Sequence, residues 1–225
     1  INGYLENLVD DDHVEDPETS RRFLTIMRKH GDRISRIVED MLVIARLESG
    51  EAGQLKMKPF AFEGCAHDVL ERLQPLISAQ GSKVRLAAAP EGLAILGDRF
   101  YWTQILFNLV ENALKQNPTC PLKIEIGYEA EADGSVRIWV SDNGVGIPSA
   151  VLPFIFRPFY RVEKHHSQGT IRGTGLGLSI VKRAVEAHGG EITASSTPGE
   201  ETRFEIVLPP EAVAPREAEV AGGPM

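Results

Sequence analysis

The sequence predicts an α+β chain. A helical hairpin, paired with a second copy into a dimeric four-helix bundle, precedes an α/β sandwich with an antiparallel-rich sheet. Three observations carry that expectation. Between Thr19 and Ser49 there is no proline and one glycine, Gly31, and the apolar residues keep a single helical period. Beyond Gly50 the period switches back and forth between about 3.6 and 2, so helix-like and strand-like stretches are mixed. Several strand-like stretches then follow one another with no room for a crossover helix, which antiparallel pairing allows and parallel pairing does not.

The elements follow in chain order. Phe23, Met27, His30, Ile34, Ile37, Met41 and Ile44 alternate steps of four and three, a heptad seam. Leu24, Val38, Leu42 and Ala45 widen it to the stripe that a bundle needs. Upstream, Ile1, Tyr4, Leu5 and Leu8 form a second helical face, and "DDDHVEDPET" between them is a turn that starts the second helix near Asp16 or Pro17. One hairpin cannot close a core alone, so the expectation is a homodimer; packing of the hairpin on the rest of its own chain is the alternative. "LESGEAGQLKMKP" marks a boundary, with Gly50 as a helix stop. Helices are expected near 64–80, 98–116 and 175–188. Strands are expected in "KVRLAAA", "LKIEIGYEA", "SVRIWVSD", "GEITASST" and "TRFEIVLP", the last two joined as a hairpin through "PGEE". The domain reading is helices over 1–49, a linker over 50–58, the sandwich over 59–210 and a low-complexity flexible tail over 211–225.

Composition excludes several classes. The 225 residues can bury a real core, and a 42% hydrophobic content with 25% charged residues is that of an ordinary globular chain. No run of about 18 apolar residues exists, so nothing in the sequence reads as a spanning helix. A net charge of -8 argues against sequence-independent nucleic-acid binding. Cys65 and Cys120 lie far apart without metal-ligand spacing, which reads as two buried thiols in a reducing compartment. The chain starts at Ile1 inside an apparent helix, which reads as a portion of something longer.

Three stretches carry chemistry. "SDNGVGIPSAV" places Gly144 and Gly146 after Asp142, in either a tight turn or a backbone wall against a ligand. "QILFNLVENALKQNP" places Asn108, Asn112 and Lys115 at steps of four and three on one helix face. Neutral amide oxygens there can ligate a hard cation already bound to phosphates, and the lysine offsets phosphate charge; a solvated polar face is the other reading. "RGTGLGLSIVKRAVEAHGG" sets Gly173, Gly175 and Gly177 before an amphipathic helix whose amino end suits an anion. Its G-x-G-x-G spacing is neither the dinucleotide fingerprint nor the Walker loop.

Together these residues resemble the ATP-binding domain of sensor histidine kinases, the Bergerat-fold superfamily shared with gyrase, heat-shock chaperones and mismatch-repair ATPases. "NLVENALK" is similar to the N box, "DNGVGI" to the first glycine box, "FRPFYR" to the F box and "GTGLGL" to the second glycine box, in the family's order. "INGYLENL" and "DMLVIARLESG" are similar to the two dimerisation and phosphotransfer helices, and the type is closest to phosphate sensors.

The resemblance implies an ATP-dependent protein-histidine autokinase that uses Mg²⁺ and passes phosphate to the aspartate of a response-regulator receiver domain. A nucleotide-binding or ATPase module without kinase activity is the alternative. It implies that Asp142 receives the adenine amino group beside Gly144, Gly146 and Ile147, and that Asn112 ligates Mg²⁺ with Asn108 and Lys115 close by. Gly173, Thr174, Gly175, Leu176 and Gly177 would bind phosphates, under a basic lid carrying Arg157, Arg161, Lys164 and Arg172. Where ATP-hydrolysing members carry a glutamate that activates water, this chain has Asn108, which favours a kinase. Gln116 departs from the aromatic common at its place. None of His13, His30, His67, His165, His166 and His188 stands in the family's acceptor motif, so the chain is expected to bind ATP without being its own acceptor. The place implied is the cytoplasmic portion of an inner-membrane protein anchored through upstream segments.

Overall fold

A computed structural model describes residues 17–48, 55–87, 93–117, 121–161 and 173–213. The first expected helix, the acidic turn after it, Cys120, residues 162–172 of the lid expected over about 148–172, and most of the expected tail lie outside the described residues. The chain divides into two compact units, Ile1–Val43 and Ile44–Met225.

In the first unit the expected second helix is present: α1 runs Pro17–Glu48, continuing past the unit boundary. Proline at its first position fits, because that N–H would have no helical partner anyway. Ile34, Val38, Met41 and Leu42 fall at i, i+4, i+7 and i+8 and are about half exposed, so a helix of otherwise polar surface carries one apolar stripe.

The second unit contains, in order, β1 (Lys58–Ala61), α2 (Phe62–Gln80), β2 (Lys83–Ala87), β3 (Ala94–Gly97), α3 (Arg99–Gln116), β4 (Lys123–Ala130), β5 (Val136–Asp142), α4 (Gly177–Ala187), β6 (Glu191–Thr197) and β7 (Glu201–Leu208). β2-β4-β5-β7-β6 form a five-stranded sheet in which only the β2–β4 pair is parallel; β1 and β3 make a separate antiparallel ladder. The antiparallel-rich sheet is therefore as expected, and the connection of its single parallel pair contains α3, which gives the length a parallel crossover needs. β1 and β3 were not legible because four residues are too few to show a period of 2. At its carboxyl end the sandwich runs further than the expected boundary at 210: Ala212 is buried and Val213 bridges Ile95.

Alternation builds the core. Val136, Ile138 and Val140 of β5 and Phe204, Ile206 and Leu208 of β7 face inward with Ile124, Ile126 and Tyr128 of β4. Against them α3 buries Trp102, Ile105, Leu106, Leu109, Val110, Ala113 and Leu114. Each large side chain so buried contributes about 1.5–3 kcal/mol, enough to outweigh the poor helix propensity of two asparagines on the same helix. Cys65 is buried and free, as expected, beside Thr103.

His188 ties the two ends of the helical layer together. Its Nδ1–H donates to Ala184 O at 2.7 Å, and its Nε2 accepts the Asp98 N–H at 2.9 Å. Asp98 caps α3 by accepting the Phe100 N–H and takes the Lys56 N–H on its other oxygen. A Cβ on Gly97 would lie 2.9 Å from both the His188 ring and Trp102 Nε1, so the cluster leaves no room for another side chain there. Burial pushes the His188 pKa below its ordinary 6.5, outweighing the Ala184 bond and the Asp98 carboxylate. The unfolded chain therefore takes up a proton near pH 6.5 that the folded chain refuses, so stability present above that pH is lost as the pH falls. We expect His188→Gln to destabilise the chain by about 1–3 kcal/mol at pH 8, and the gap between it and the parent to narrow toward pH 5. Denaturant titrations at both pH values check this; a gap of constant size would assign no titrating role to His188.

Candidate active site

The buried stripes of β5 and β7 each end in a polar residue. Asp142 and Thr202 are direct partners in the β5–β7 register, and both are buried. Asp142 Oδ1 accepts the Gly144 N–H at 2.9 Å. Burial raises the Asp142 pKa above its usual carboxylate value, the Gly144 bond opposes that rise, and the Glu201 charge adds to it. An acceptor held at the end of an apolar stripe suits a neutral amine donor better than a cation in water.

The loop after Asp142 is clamped from two sides. Val145 N–H donates to Asn117 Oδ1 at 2.7 Å, and Ile147 N–H donates to Ser196 Oγ at 2.9 Å. Gly199 N–H donates to Val145 O, which brings the β6–β7 turn against the same loop. Both glycines are explained by protein neighbours. A Cβ on Gly144 would lie 2.5 Å from Asn117 Oδ1; one on Gly146, at φ 75°, would lie 2.5 Å from Pro198 Cα. Asn143 accepts the Lys123 N–H and serves the strand end.

α3 presents the next group. Asn108 Nδ2 is buried without a protein acceptor, a donor group lacking its complement. Its Oδ1 lies 3.2 Å from the place a Gly177 Cβ would take, so α3 and the first turn of α4 meet at Asn108 with no side chain between them. Asn112 stands one turn further on, half-buried. Lys115 Nζ pairs with Glu111 Oε1 at 2.7 Å across one turn, with both side chains a quarter to a third exposed. The i,i+4 pairing occupies a lysine whose spacing alone suggested a free cation.

The third group is the glycine run. Gly173 and Gly175 take φ 61° and 78°, which delays α4 to Gly177 rather than the expected Gly175. Thr174 Oγ1 accepts the Leu176 N–H, and the Leu176 side chain is fully buried, anchoring the run. A Cβ on Gly175 would lie 3.0 Å from the Phe159 carbonyl carbon, and Phe159 itself sits at φ 62°. The run therefore leads into the helix with its first-turn N–H groups unpaired within α4. Arg161 stands exposed at the edge of the described residues; Lys164, His165, His166 and Arg172 lie outside them.

Residues 97–212 match the family model described as histidine kinase-, DNA gyrase B-, and HSP90-like ATPase, and residues 1–50 match that of the His Kinase A phospho-acceptor domain. The chain belongs to this ATPase family. Curated proteins similar to it include sensor proteins. It is 31% identical to the sensor protein kinase WalK of Staphylococcus saprophyticus over 95% of this chain and 34% of WalK. It is 32% identical to the phosphate regulon sensor protein PhoR of Pseudomonas aeruginosa over 96% of this chain and 48% of PhoR. The chain thus spans half or less of these relatives' length. Among solved structures, full-length ShkA in complex with AMPPNP superposes with a TM-score of 0.72 at 30% identity, over 87% of this chain and 39% of ShkA. The nucleotide-free catalytic domain of histidine kinase ThkA superposes at 0.58 and 28% identity, over 70% and 99%. The two family models together are a phospho-acceptor domain of histidine kinases and an ATPase domain that histidine kinases share with DNA gyrase B and HSP90.

The ATPase fold brings together Asp142 with Thr202, Gly144 with Asn117, and Asn108 with Gly177; it gives Arg161 no contact with these among the described residues. Sequence reasoning missed Thr202, Asn117 and Ser196. The signal for Thr202 was present, since it occupies the inward register of Phe204, Ile206 and Leu208 as a polar residue in an apolar stripe. Of the described histidines, His188 uses both nitrogens internally and His67 Nδ1 bonds Glu63 O at 2.8 Å.

A buried carboxyl with a raised pKa contributes stability at low pH that is lost as the pH rises through the folded-state value. Asp142→Asn keeps the acceptor for Gly144 N–H without the buried charge. We expect it to raise the melting temperature of the ligand-free chain at pH 7–8 by about 2–4 °C, and the gain to vanish toward pH 4. A variant that melts below the parent at pH 8 would show that the ionised carboxylate is stabilised in place.

Proposed function

We propose that the chain is the catalytic portion of an ATP:protein-histidine phosphotransferase of a two-component system. In this reading the domain expected over 59–210, extended to Val213, binds the nucleotide, 1–49 supply dimerisation and phosphotransfer helices and 50–58 link them. The observation that carries it is Asn108, an amide instead of a carboxylate where α3 meets the first turn of α4. An amide cannot take a proton from water at neutral pH, so the γ-phosphoryl group persists until a stronger nucleophile reaches it.

Each residue then has a task. Asp142, with Thr202 beside it, accepts the adenine amino group, and Ile147 lines the loop. Asn108 Nδ2 donates to a phosphate oxygen. Asn112 supplies an amide oxygen to Mg²⁺, whose charge neutralises the phosphates. Lys115 exchanges Glu111 for phosphate, and the loop through Gly173, Thr174, Gly175, Leu176 and Gly177 offers backbone N–H groups, with Arg161 at the rim. The acceptor imidazole forms an N–P bond as the bond from the γ-phosphorus to the bridging oxygen breaks, and that electron pair leaves with ADP. The phosphoryl group then passes to a receiver-domain carboxylate. The apolar stripe of α1 supports pairing with a second copy. The whole protein is held at the membrane through segments other than these.

The test supplies [γ-³²P]ATP, Mg²⁺ and a family phosphoacceptor domain in trans. We expect label that is acid-labile and alkali-stable, at least tenfold reduced by Asn112→Asp, which places a carboxylate next to the phosphates. Acid-stable label, or steady ATP turnover without any phosphoprotein, would put the chemistry in a different class.

A further inference from the structure

We propose that Asn117 is a positioning residue that fixes the adenine loop to the helix carrying the phosphate-side residues, holding the two ends of a bound nucleotide in one register. The inference rests on the nucleotide reading above and goes beyond it, because Asn117 lies outside the four boxes and has no assigned contact with ATP or Mg²⁺, only with the backbone of the loop at Gly144 and Val145.

Asn117 follows the last residue of α3 with a non-helical backbone, φ -124° and ψ 57°, and its side chain is buried. Its partners dictate which way the amide points. Val145 offers only an N–H, so Oδ1 must face it, at 2.7 Å; Ala113 offers only a carbonyl, so Nδ2 must face that, at 2.8 Å. One side chain therefore both closes the last turn of α3 and holds the middle of the Asp142–Ile147 loop. Gly144 leaves space for the amide, since a Cβ there would lie within 2.6 Å of Asn117 Cγ.

The clamp is itself braced. Gln80, at the end of α2, donates from Nε2 to Leu114 O at 3.2 Å and to Asn117 O, and its Oε1 accepts from Ser82 Oγ at 3.1 Å. Ser82 Oγ in turn accepts the Leu122 N–H at 2.9 Å, so the chain of bonds is anchored at the entry to β4. Buried amides in such a chain are costly to misplace, because each moved group leaves a neighbour unpaired. Asn117 follows the same helix directly, five residues past Asn112 and two past Lys115. Displacement of the loop relative to α3 would thus change the separation between Asp142 and the phosphate-side groups.

The substitutions separate holding the loop from holding the helix. Asn117→Asp keeps an oxygen for Val145 N–H but loses the donor to Ala113 O and sets a carboxylate against that carbonyl. Asn117→Ala loses both bonds. The full chain is titrated calorimetrically with Mg·ATP and Mg·GTP, and the melting temperature of each variant is measured alongside. We expect both variants to melt lower. Asn117→Ala should weaken ATP about tenfold, the cost of one misplaced buried hydrogen bond, and lower the ATP-to-GTP preference by a similar factor, whereas Asn117→Asp should retain most of that preference. If Asn117→Ala shows no cooperative melting, Asn117→Leu, which keeps the shape, replaces it with the same expectation. Unchanged ATP affinity and preference in a folded Ala or Leu variant overturns the proposal. So does equal loss for ATP and GTP, or an Asp variant as indiscriminate as the Ala variant. A parent chain that binds no ATP overturns the nucleotide reading instead.

Discussion

The β5–β7 register is the constraint from which the site follows. Seven consecutive pairs, from Val136 with Leu208 to Asp142 with Thr202, hold the two central strands in antiparallel alignment. Because side chains alternate, a slip of one residue would turn Asp142 and Thr202 outward and put Ser141 and Arg203 into the core. Burial of Val136, Ile138, Val140, Phe204, Ile206 and Leu208 makes that slip cost several side chains' worth of hydrophobic free energy, on the order of 10 kcal/mol. The apolar residues thus place two polar ones at the lip of the core, next to each other, without any bond between them being needed.

From that lip the rest is positioned by contact. The loop from Asp142 to Ile147 cannot relax outward because Asn117 and Ser196 hold its N–H groups, and it cannot thicken because Asn117 and Pro198 occupy the space a Cβ would need at Gly144 and Gly146. The glycine run before α4 is held similarly, with Gly175 against the Phe159 backbone and Gly177 against Asn108. Glycine has two separate uses here. At positions 146, 173 and 175 it supplies positive φ, and at 144 and 177 it supplies closeness.

This division explains what the sequence made legible. α3, α4 and the strands from β4 onward are long enough for their periods to show, and the Asn108, Asn112, Lys115 spacing needs only the helix to put three residues on one face. What the period cannot carry is contact between distant elements. Nothing local in "KQNP" says that Asn117 reaches a loop 28 residues away, and Ser196 in "EITASST" is indistinguishable from any surface serine of an edge strand. Lys115 shows the same limit from the other side. Its position on the helix face was readable, but its engagement by Glu111 depends on rotamers that spacing does not specify.

The ligand-free site holds three incomplete groups within one wall of the fold. Asp142 carries its charge at a desolvation cost, Asn108 keeps a buried donor without an acceptor, and Lys115 is satisfied only by a partner one turn away. The first deficit calls for an amine donor, the second for an anionic oxygen and the third for a denser negative charge than one carboxylate, so the last two share a sign that the first opposes. A ligand with an amino-bearing flat base at one end and phosphates at the other would meet all three at once. A simple anion meets only two and a free base only one. On the proposed reading, selectivity for the whole nucleotide over its parts would arise from how far apart the α3–β5 frame holds these deficits, because binding energy is gained at both ends only when the spacing matches.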